Sequence, residues 1–286
     1  MIWLWVLLAS LAASALFAVA AVIARRYEQR PRVVKRDSLD CQSGDRRPLP
    51  GVVLPLSSHG EQMLAKIERK RQSIYDTELL EELSVEEAKI RSGLEGEHLL
   101  DAFLKSRLDD KWVIVSGYRA HKGEIDRILI GPGGIYAFEV KHLSGVISCH
   151  GDLWWRDLTD RQGRVVKQGV PIEDNAGRSP SEQINDAVNA LERLLKKNGY
   201  QVSIVRGVVL THPRAVIGRL DRITVDFCFT LATLPLDSLL RVGTPLTPEQ
   251  VRKIATSIRR HHEWFERKTR ENLERRFNRV TRIARA

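Results

Sequence analysis

Two runs rich in Ile, Val, Tyr and Phe, Ile125 to Ile130 and Ile135 to Lys141, flank the turn sequence Gly131-Pro132-Gly133-Gly134. That arrangement predicts a β-hairpin, because such side chains suit a half-buried pleated surface and the Gly/Pro cluster breaks it. With residues 131–134 as the loop, Ile130 faces Ile135, and counting outwards sets Asp126 opposite Glu139. Directly opposite residues of an antiparallel pair share a sheet face, with Cβ atoms about 4.5–5.5 Å apart. Lys141, two residues past Glu139, lies on that face too. Two carboxylates held this close repel each other, and a hard divalent cation relieves the repulsion. Mg²⁺ (or Mn²⁺) fits, since Mg²⁺ takes one or two protein carboxylates, keeps several waters and accepts phosphate oxygens. A lysine beside it stabilises developing negative charge or serves the attacking water. The chemistry implied is phosphodiester hydrolysis; the competing reading is a solvated strand face, which would suit Glu139 and Lys141 if they stood without Asp126.

Other polar residues admit two readings each. Glu97 lies in Leu94 to Leu108, where Leu94, Leu99, Phe103, Leu104 and Leu108 predict an amphipathic helix, so it is either a site acid or a solvated one. Gln183 follows Ser179-Pro180-Ser181, a helix start with Ser179 as N-cap. Glu124 falls opposite Lys141 and is either a fourth acid at the site or, as favoured, a cross-strand partner for that lysine. His121, His142 and His150 lack the spacing of a zinc site and are read as surface or groove residues. The glycines of residues 131–134 serve the turn, since neither a helix start nor Gly-Lys-Ser/Thr follows them.

Gly123-Glu124-Ile125-Asp126, the Gly133-Gly134 turn and Glu139-Val140-Lys141, preceded by Gly93-Leu94-Glu95-Gly96-Glu97 and followed by Pro180 and Gln183, resemble the nuclease-related domain (NERD) family. The likeness spans roughly residues 93–212. It implies a restriction-endonuclease-like fold carrying a PD-(D/E)xK site. Carried over residue by residue, it implies that Asp126 and Glu139 hold the metal and that Lys141 serves the attacking water. Glu97 matches the family's upstream acid and would complete the metal site. Gln183 matches a glutamine that would contact substrate or a metal-bound water. Ile125 stands where the motif is written with proline.

The stretch Ile2 to Ala24 is uncharged and dominated by Leu, Ala, Val and Trp. It is long enough for the roughly 20 residues that cross a bilayer. A cleaved signal peptide is disfavoured, because no basic segment precedes it and it exceeds the roughly 7–15 residues of a signal core. Arg25, Arg26, Arg30, Arg32, Lys35 and Arg36 follow, so the positive-inside rule puts the remainder in the cytoplasm, anchored to the inner membrane. Cys41, Cys149 and Cys228 are odd in number and widely spaced, which predicts free thiols.

The net charge of +10 is concentrated at two places. Residues 25–50 hold eight basic and four acidic side chains, and 251–286 hold twelve and four, leaving the middle slightly acidic. Phosphate contacts in the middle are therefore expected to be local, with electrostatic attraction from the flanks. After the Thr247-Pro248-Glu249 helix start, Val251, Ile254, Ile258 and Phe265 recur at helical spacing among basic residues. Three readings of this tail are open: nucleic-acid binding, a membrane surface, or a helix that caps the domain through its apolar stripe.

The expected organisation is a transmembrane helix (1–24), a basic flexible linker (25–60), a charged helical segment (61–92), a nuclease-like domain (93–246) and a basic helical tail (247–286). The fold class is α/β, a restriction-endonuclease-like mixed sheet flanked by helices. Within the domain the expected order is helix 94–108, strand 112–118, the hairpin, strands near 145–149 and 153–156, a polar loop 157–178, helix 181–197 and strand 203–210. Ile223-Thr224-Val225 is expected at a sheet edge. The expected function is a membrane-anchored, Mg²⁺-dependent nuclease acting on DNA. The alternative is a non-catalytic, membrane-tethered nucleic-acid-binding or scaffolding module; oligomeric state is left open.

Overall fold

The computed structural model describes residues 53–56, 59–72 and 77–283. The expected membrane segment, the linker up to residue 52 and Cys41 lie outside these residues. No helix among the described residues is long and apolar enough to cross a membrane.

The elements are β1 (Val53–Pro55), α1 (His59–Arg71), α2 (Thr77–Lys105), β2 (Val113–Ala120), β3 (Gly123–Gly131), β4 (Gly134–Lys141), β5 (Gly145–His150), β6 (Leu153–Thr159), β7 (Val165–Pro171), α3 (Pro180–Lys197), β8 (Ile204–Leu210), β9 (Ala215–Asp221), β10 (Phe227–Thr230), α4 (Leu236–Leu239) and α5 (Pro248–Ile283). They build two mixed sheets. The larger has the order β1-β2-β3-β4-β8-β10, the smaller β7-β6-β5-β9. In the larger, β2, β3 and β4 are antiparallel neighbours, while β8 lies parallel to both β4 and β10.

Helices cover both faces of the larger sheet, which explains why its central strands are near-continuous apolar runs. On one face, Ile184, Val188, Leu191 and Leu195 of α3 and Val251, Ile254 and Ile258 of α5 pack against Val115, Ile128, Ile130 and Ala137. On the other, Leu100 and Leu104 of α2 join Leu236 and Leu239 of α4 against Leu129, Tyr136, Phe138 and Val209. Ile147, Cys149 and Trp154 of the smaller sheet belong to the first core. The tail's apolar stripe thus caps the domain along the first half of α5, which is one of the three readings its sequence allowed. Cys149 and Cys228 are free and buried.

The hairpin has the predicted register, Ile130 opposite Ile135, with Gly131 paired to Gly134 so that only Pro132 and Gly133 form the loop. Gly134 has φ +125°, a conformation that side-chain-bearing residues rarely adopt. At Gly133, a Cβ would lie 1.8 Å from the main-chain oxygen of Leu240, so the turn is packed against the segment after α4. Gly133→Ala is therefore expected to destabilise the protein by about 1–3 kcal/mol through overpacking, measured by denaturant unfolding; an unchanged midpoint would show that the segment near Leu240 yields freely.

Several expectations are corrected. Residues 157–178 are not one polar loop, because β6 extends to Thr159 and β7 pairs with it. β7 is exposed over almost its whole length, so main-chain pairing creates this strand and no apolar alternation announces it. Ile223-Thr224-Val225 is not a strand; the strands flank it as β9 and β10. The charged segment 61–92 and the helix expected from residue 94 are not separate, since α2 runs unbroken across residues 92 and 93.

Candidate active site

β4 is held on one side by β8, with Glu139 opposite Val208 and Lys141 opposite Leu210. β3 is held by β2, with Ile125 opposite Tyr118 and Glu124 opposite Arg119. Between β3 and β4, however, the ladder ends at Arg127 and Phe138. Beyond that point the Val140 N–H donates to the Asp126 carboxylate at 2.7 Å. The two strands therefore part while each stays fixed to its outer neighbour, and the Asp126 side chain stands in for the missing main-chain acceptor. Asp126, Glu139 and Lys141 lie at the base of the gap.

A cleft of about 550 Å³ opens there. His59 and Gly60 at the start of α1, Gly93 and Glu97 of α2, Arg119 of β2, Asp174 to Arg178 of the loop before α3, Gln183 of α3 and Phe265 of α5 surround it. The cleft thus brings together all five residues predicted for the site: Glu97, Asp126, Glu139, Lys141 and Gln183.

Glu139 is 4% exposed. Burial, reinforced by Asp126, pushes its carboxyl up to about 8, although Lys141 opposes the shift. Lys141 Nζ donates to Glu139 at 2.7 Å and to the Gln183 side-chain oxygen at 3.2 Å. Burial pulls the ammonium down, but Glu139 and Asp126 outweigh it and the pKa ends raised. Lys141 is therefore a charged donor in this arrangement. Gln183 in turn donates to the Arg178 carbonyl at 2.8 Å, so it orients Lys141 from the first turn of α3. The predicted Ser179 N-cap is present with a full capping box to Glu182, which fixes that helix start. Burial likewise raises Asp126 against the pull of Lys141 and the Val140 N–H.

Glu97 sits one helical turn before Asp101, and both acids engage the buried guanidinium of Arg127. Arg127 Nη1 donates to Glu97 at 2.9 Å and Nη2 to Asp101 at 3.0 Å. Burial and the nearby Asp126 carboxylate push Glu97 up to about 7 despite Arg127. Sequence reasoning missed Arg127 and Asp101; the signal was there, since acids four apart on a helix beside a strand arginine share one face.

Glu124 does not partner Lys141, contrary to expectation. It lies 3.8 Å from Arg119 and accepts the His59 N–H at 3.2 Å, capping α1. The parting of β3 and β4 removes the cross-strand neighbourhood on which the expected pair depended. Burial, Asp126 and Glu97 push Glu124 up to about 8. His142 faces Thr211, 3.1 Å away, and His212. His150 pairs with Asp221, and both histidines are absent from the cleft lining.

Whether these residues suit a metal can be judged from the donors. Among the described residues, no three His, Cys, Asp or Glu side chains stand together as a ready cage. Mg²⁺ requires no such cage, because it binds through one or two carboxylates and keeps its waters. Asp126 and Glu139 are hard oxygen donors whose charged forms burial disfavours, with Asp126 adding to the effect at Glu139, and a divalent cation would offset both. The donor set fits.

The raised carboxyls fix the sign of a pH effect. Glu97, Glu124 and Glu139 move from an ordinary 4.5 to about 7, 8 and 8, so the folded chain holds more protons than the unfolded one across that window. Metal-free protein is therefore most stable below about pH 4.5 with respect to these groups and loses that stability as pH rises towards 8. The melting temperature is expected to fall between pH 5 and pH 8, with millimolar Mg²⁺ reversing most of the fall. A flat profile would mean that the carboxylates ionise without penalty.

Residues 92–212 match the family model for NERD, the nuclease-related domain. No curated protein and no solved structure matches the chain. The NERD match agrees with the resemblance read from the motifs and runs from the second half of α2 through β8. It contains Glu97, Asp126, Glu139, Lys141 and Gln183. The mixed α/β architecture, with two sheets and flanking helices, fits a nuclease-like fold. His59 and Phe265 line the same cleft from α1 and α5, outside the NERD match.

Proposed function

We propose that this protein is a metal-dependent nuclease that hydrolyses phosphodiester bonds of DNA, held at the inner membrane by residues 2–24 with its NERD domain in the cytoplasm. The observation that carries the reading is the placement of Asp126, Glu139 and Lys141 where β3 and β4 part, at the base of a cleft. Asp126 and Glu139 would hold Mg²⁺ or Mn²⁺, with Glu97 as the third acid. Bound there, the cation would supply a Lewis acid for the phosphoryl group and a more acidic water.

The protein's own residues have separable tasks. Lys141, charged and fixed by Glu139 and Gln183, presents N–H donors to a phosphate oxygen or to the attacking water. Arg127 holds Glu97 towards the cleft and ties α2 to β3. Burial strengthens each of these electrostatic contacts.

The test is cleavage of linear, circular and single-stranded DNA, and of RNA, by the full chain in mild detergent with Mg²⁺, Mn²⁺ or EDTA. Metal-dependent cutting of DNA supports the proposal. Binding without cutting by folded protein under every metal would favour the non-catalytic, membrane-tethered module. A reporter enzyme fused after residue 286 checks orientation, and activity confined to the periplasm would overturn the cytoplasmic placement.

Nucleic-acid attraction is assigned to the exposed half of α5. Removing residues 251–286 would also remove Val251, Ile254 and Ile258 from the core, so charge removal is the cleaner test. Replacing Arg267, Lys268 and Arg270 by Gln is expected to reduce the salt slope of single-strand binding by about 0.7 for each phosphate that is no longer neutralised. An unchanged slope would assign the attraction elsewhere.

A further inference from the structure

We propose that the cleft receives an unpaired strand of nucleic acid, with one base stacked on Phe265; the inference rests on the nuclease reading and names its substrate class. Apart from Val140, every other described residue of the cleft lining is polar, charged or small, or is His59 at the start of α1. Among the described residues, Phe265 is thus the one carbon ring facing a cleft otherwise suited to phosphate and metal.

Its helix is pinned at that position. Tyr118 Oη and His261 Nδ1 are 2.9 Å apart, the Arg119 N–H donates to His262 Nδ1 at 3.1 Å, and Arg119 Nη1 donates to Glu266 at 3.0 Å. These contacts bracket Phe265 in sequence and join α5 to β2. An aromatic held in advance loses little freedom on stacking, and stacking accepts any base because every base has a π-face.

The walls favour a single strand. Glu139 is 4% exposed, so a phosphate reaches it only by entering between the start of α1, the loop Asp174 to Arg178 and α5. A single strand can bend its backbone inward there and turn a base outward towards Phe265, a freedom that a paired stack lacks. Along α5, Lys268 lies three residues from Phe265 and so shares its face, and Arg267 and Arg270 are exposed nearby. Of the three, only Lys268 stands on the side of Phe265; it is paired with Glu271 at 2.9 Å and would exchange that partner for a neighbouring phosphate of the strand.

The test uses the full chain in mild detergent with EDTA present, and oligonucleotides of one sequence containing 2-aminopurine, whose fluorescence falls on stacking. The expected result is quenching and binding of single strands, with blunt duplex bound at least about tenfold more weakly. Phe265→Leu is expected to weaken single-strand binding about tenfold and abolish the quenching, leaving the salt slope unchanged, while Phe265→Tyr restores both. DNA and RNA versions distinguish the source of the strand. Equal binding of duplex, quenching that survives Phe265→Leu, or quenching lost only in Trp264→Leu would overturn the proposal; Trp264 is exposed on α5 but does not line the cleft. Absence of metal-dependent cutting alongside intact quenching would sink the nuclease reading and leave the strand-binding site standing.

Discussion

Lys141→Ala is expected to lower metal-dependent cleavage by about 10²–10³-fold while leaving nucleic-acid binding within a few-fold of the parent protein. The size follows from what is removed. Lys141 is the only ammonium among the described residues of the cleft lining, and it is held by Glu139 at 2.7 Å and Gln183 at 3.2 Å. A donor fixed in advance stabilises charge that develops in the transition state without reorganisation, which is why its loss is felt in turnover more than in binding. Lys141→Gln supplies the companion measurement, since it keeps a hydrogen-bonding side chain but no charge. It is expected to fall with the alanine variant. Cleavage that survives both changes, with the fold confirmed by an unaltered melting transition, would remove Lys141 from the chemistry.

Arg127→Met is expected to cost about 3–5 kcal/mol of stability at pH 8, the range for breaking a buried ion-pair network by deleting one partner. Arg127 is 3% exposed and binds two carboxylates, Glu97 and Asp101, that are themselves only 16% and 13% exposed. Deletion leaves both acids with no guanidinium to answer them, next to Asp126. The cost should shrink as pH falls towards 4, because the orphaned Glu97 carboxyl can then take a proton and lose its charge. Adding Asp101→Leu should recover part of the loss, since an apolar side chain does not need the missing cation. Denaturant unfolding at the two pH values measures this. A cost below about 1 kcal/mol at pH 8 would mean that solvent reaches the acids and replaces the arginine.

The parts of this arrangement that are local in sequence were legible from it. The hairpin register follows from a short Gly/Pro turn between two apolar runs, so it could be counted by hand that Asp126 and Glu139 fall next to Arg127 and Phe138, but not that the ladder stops at that pair and leaves Asp126 and Glu139 unpaired. The Ser179 cap follows from Ser-Pro-Ser-Glu. What the register could not give was its own end: β3 and β4 part beyond Arg127 because each is claimed by an outer strand, β2 and β8, and those pairings are long-range. The mistaken Glu124–Lys141 pair comes from carrying the ladder past that point. β7 escaped notice because its side chains are exposed on both faces, so burial leaves no alternation to read. Arg127 was overlooked because its partners approach from α2, about thirty residues earlier. Phe265 lay in a recognised helix, but only the contacts of His262 and Glu266 with Arg119 show that its turn meets the cleft.

The parting of two strands also sets when the site can exist. Glu139 and Lys141 are fixed only after β8 has paired with β4, and Glu97 points inward only after Arg127 has docked on α2. The rim waits still longer, for the turn of α5 that carries Phe265 to reach β2. The walls of the cleft are thus complete only when His59 and Phe265, more than two hundred residues apart in sequence, are both in place.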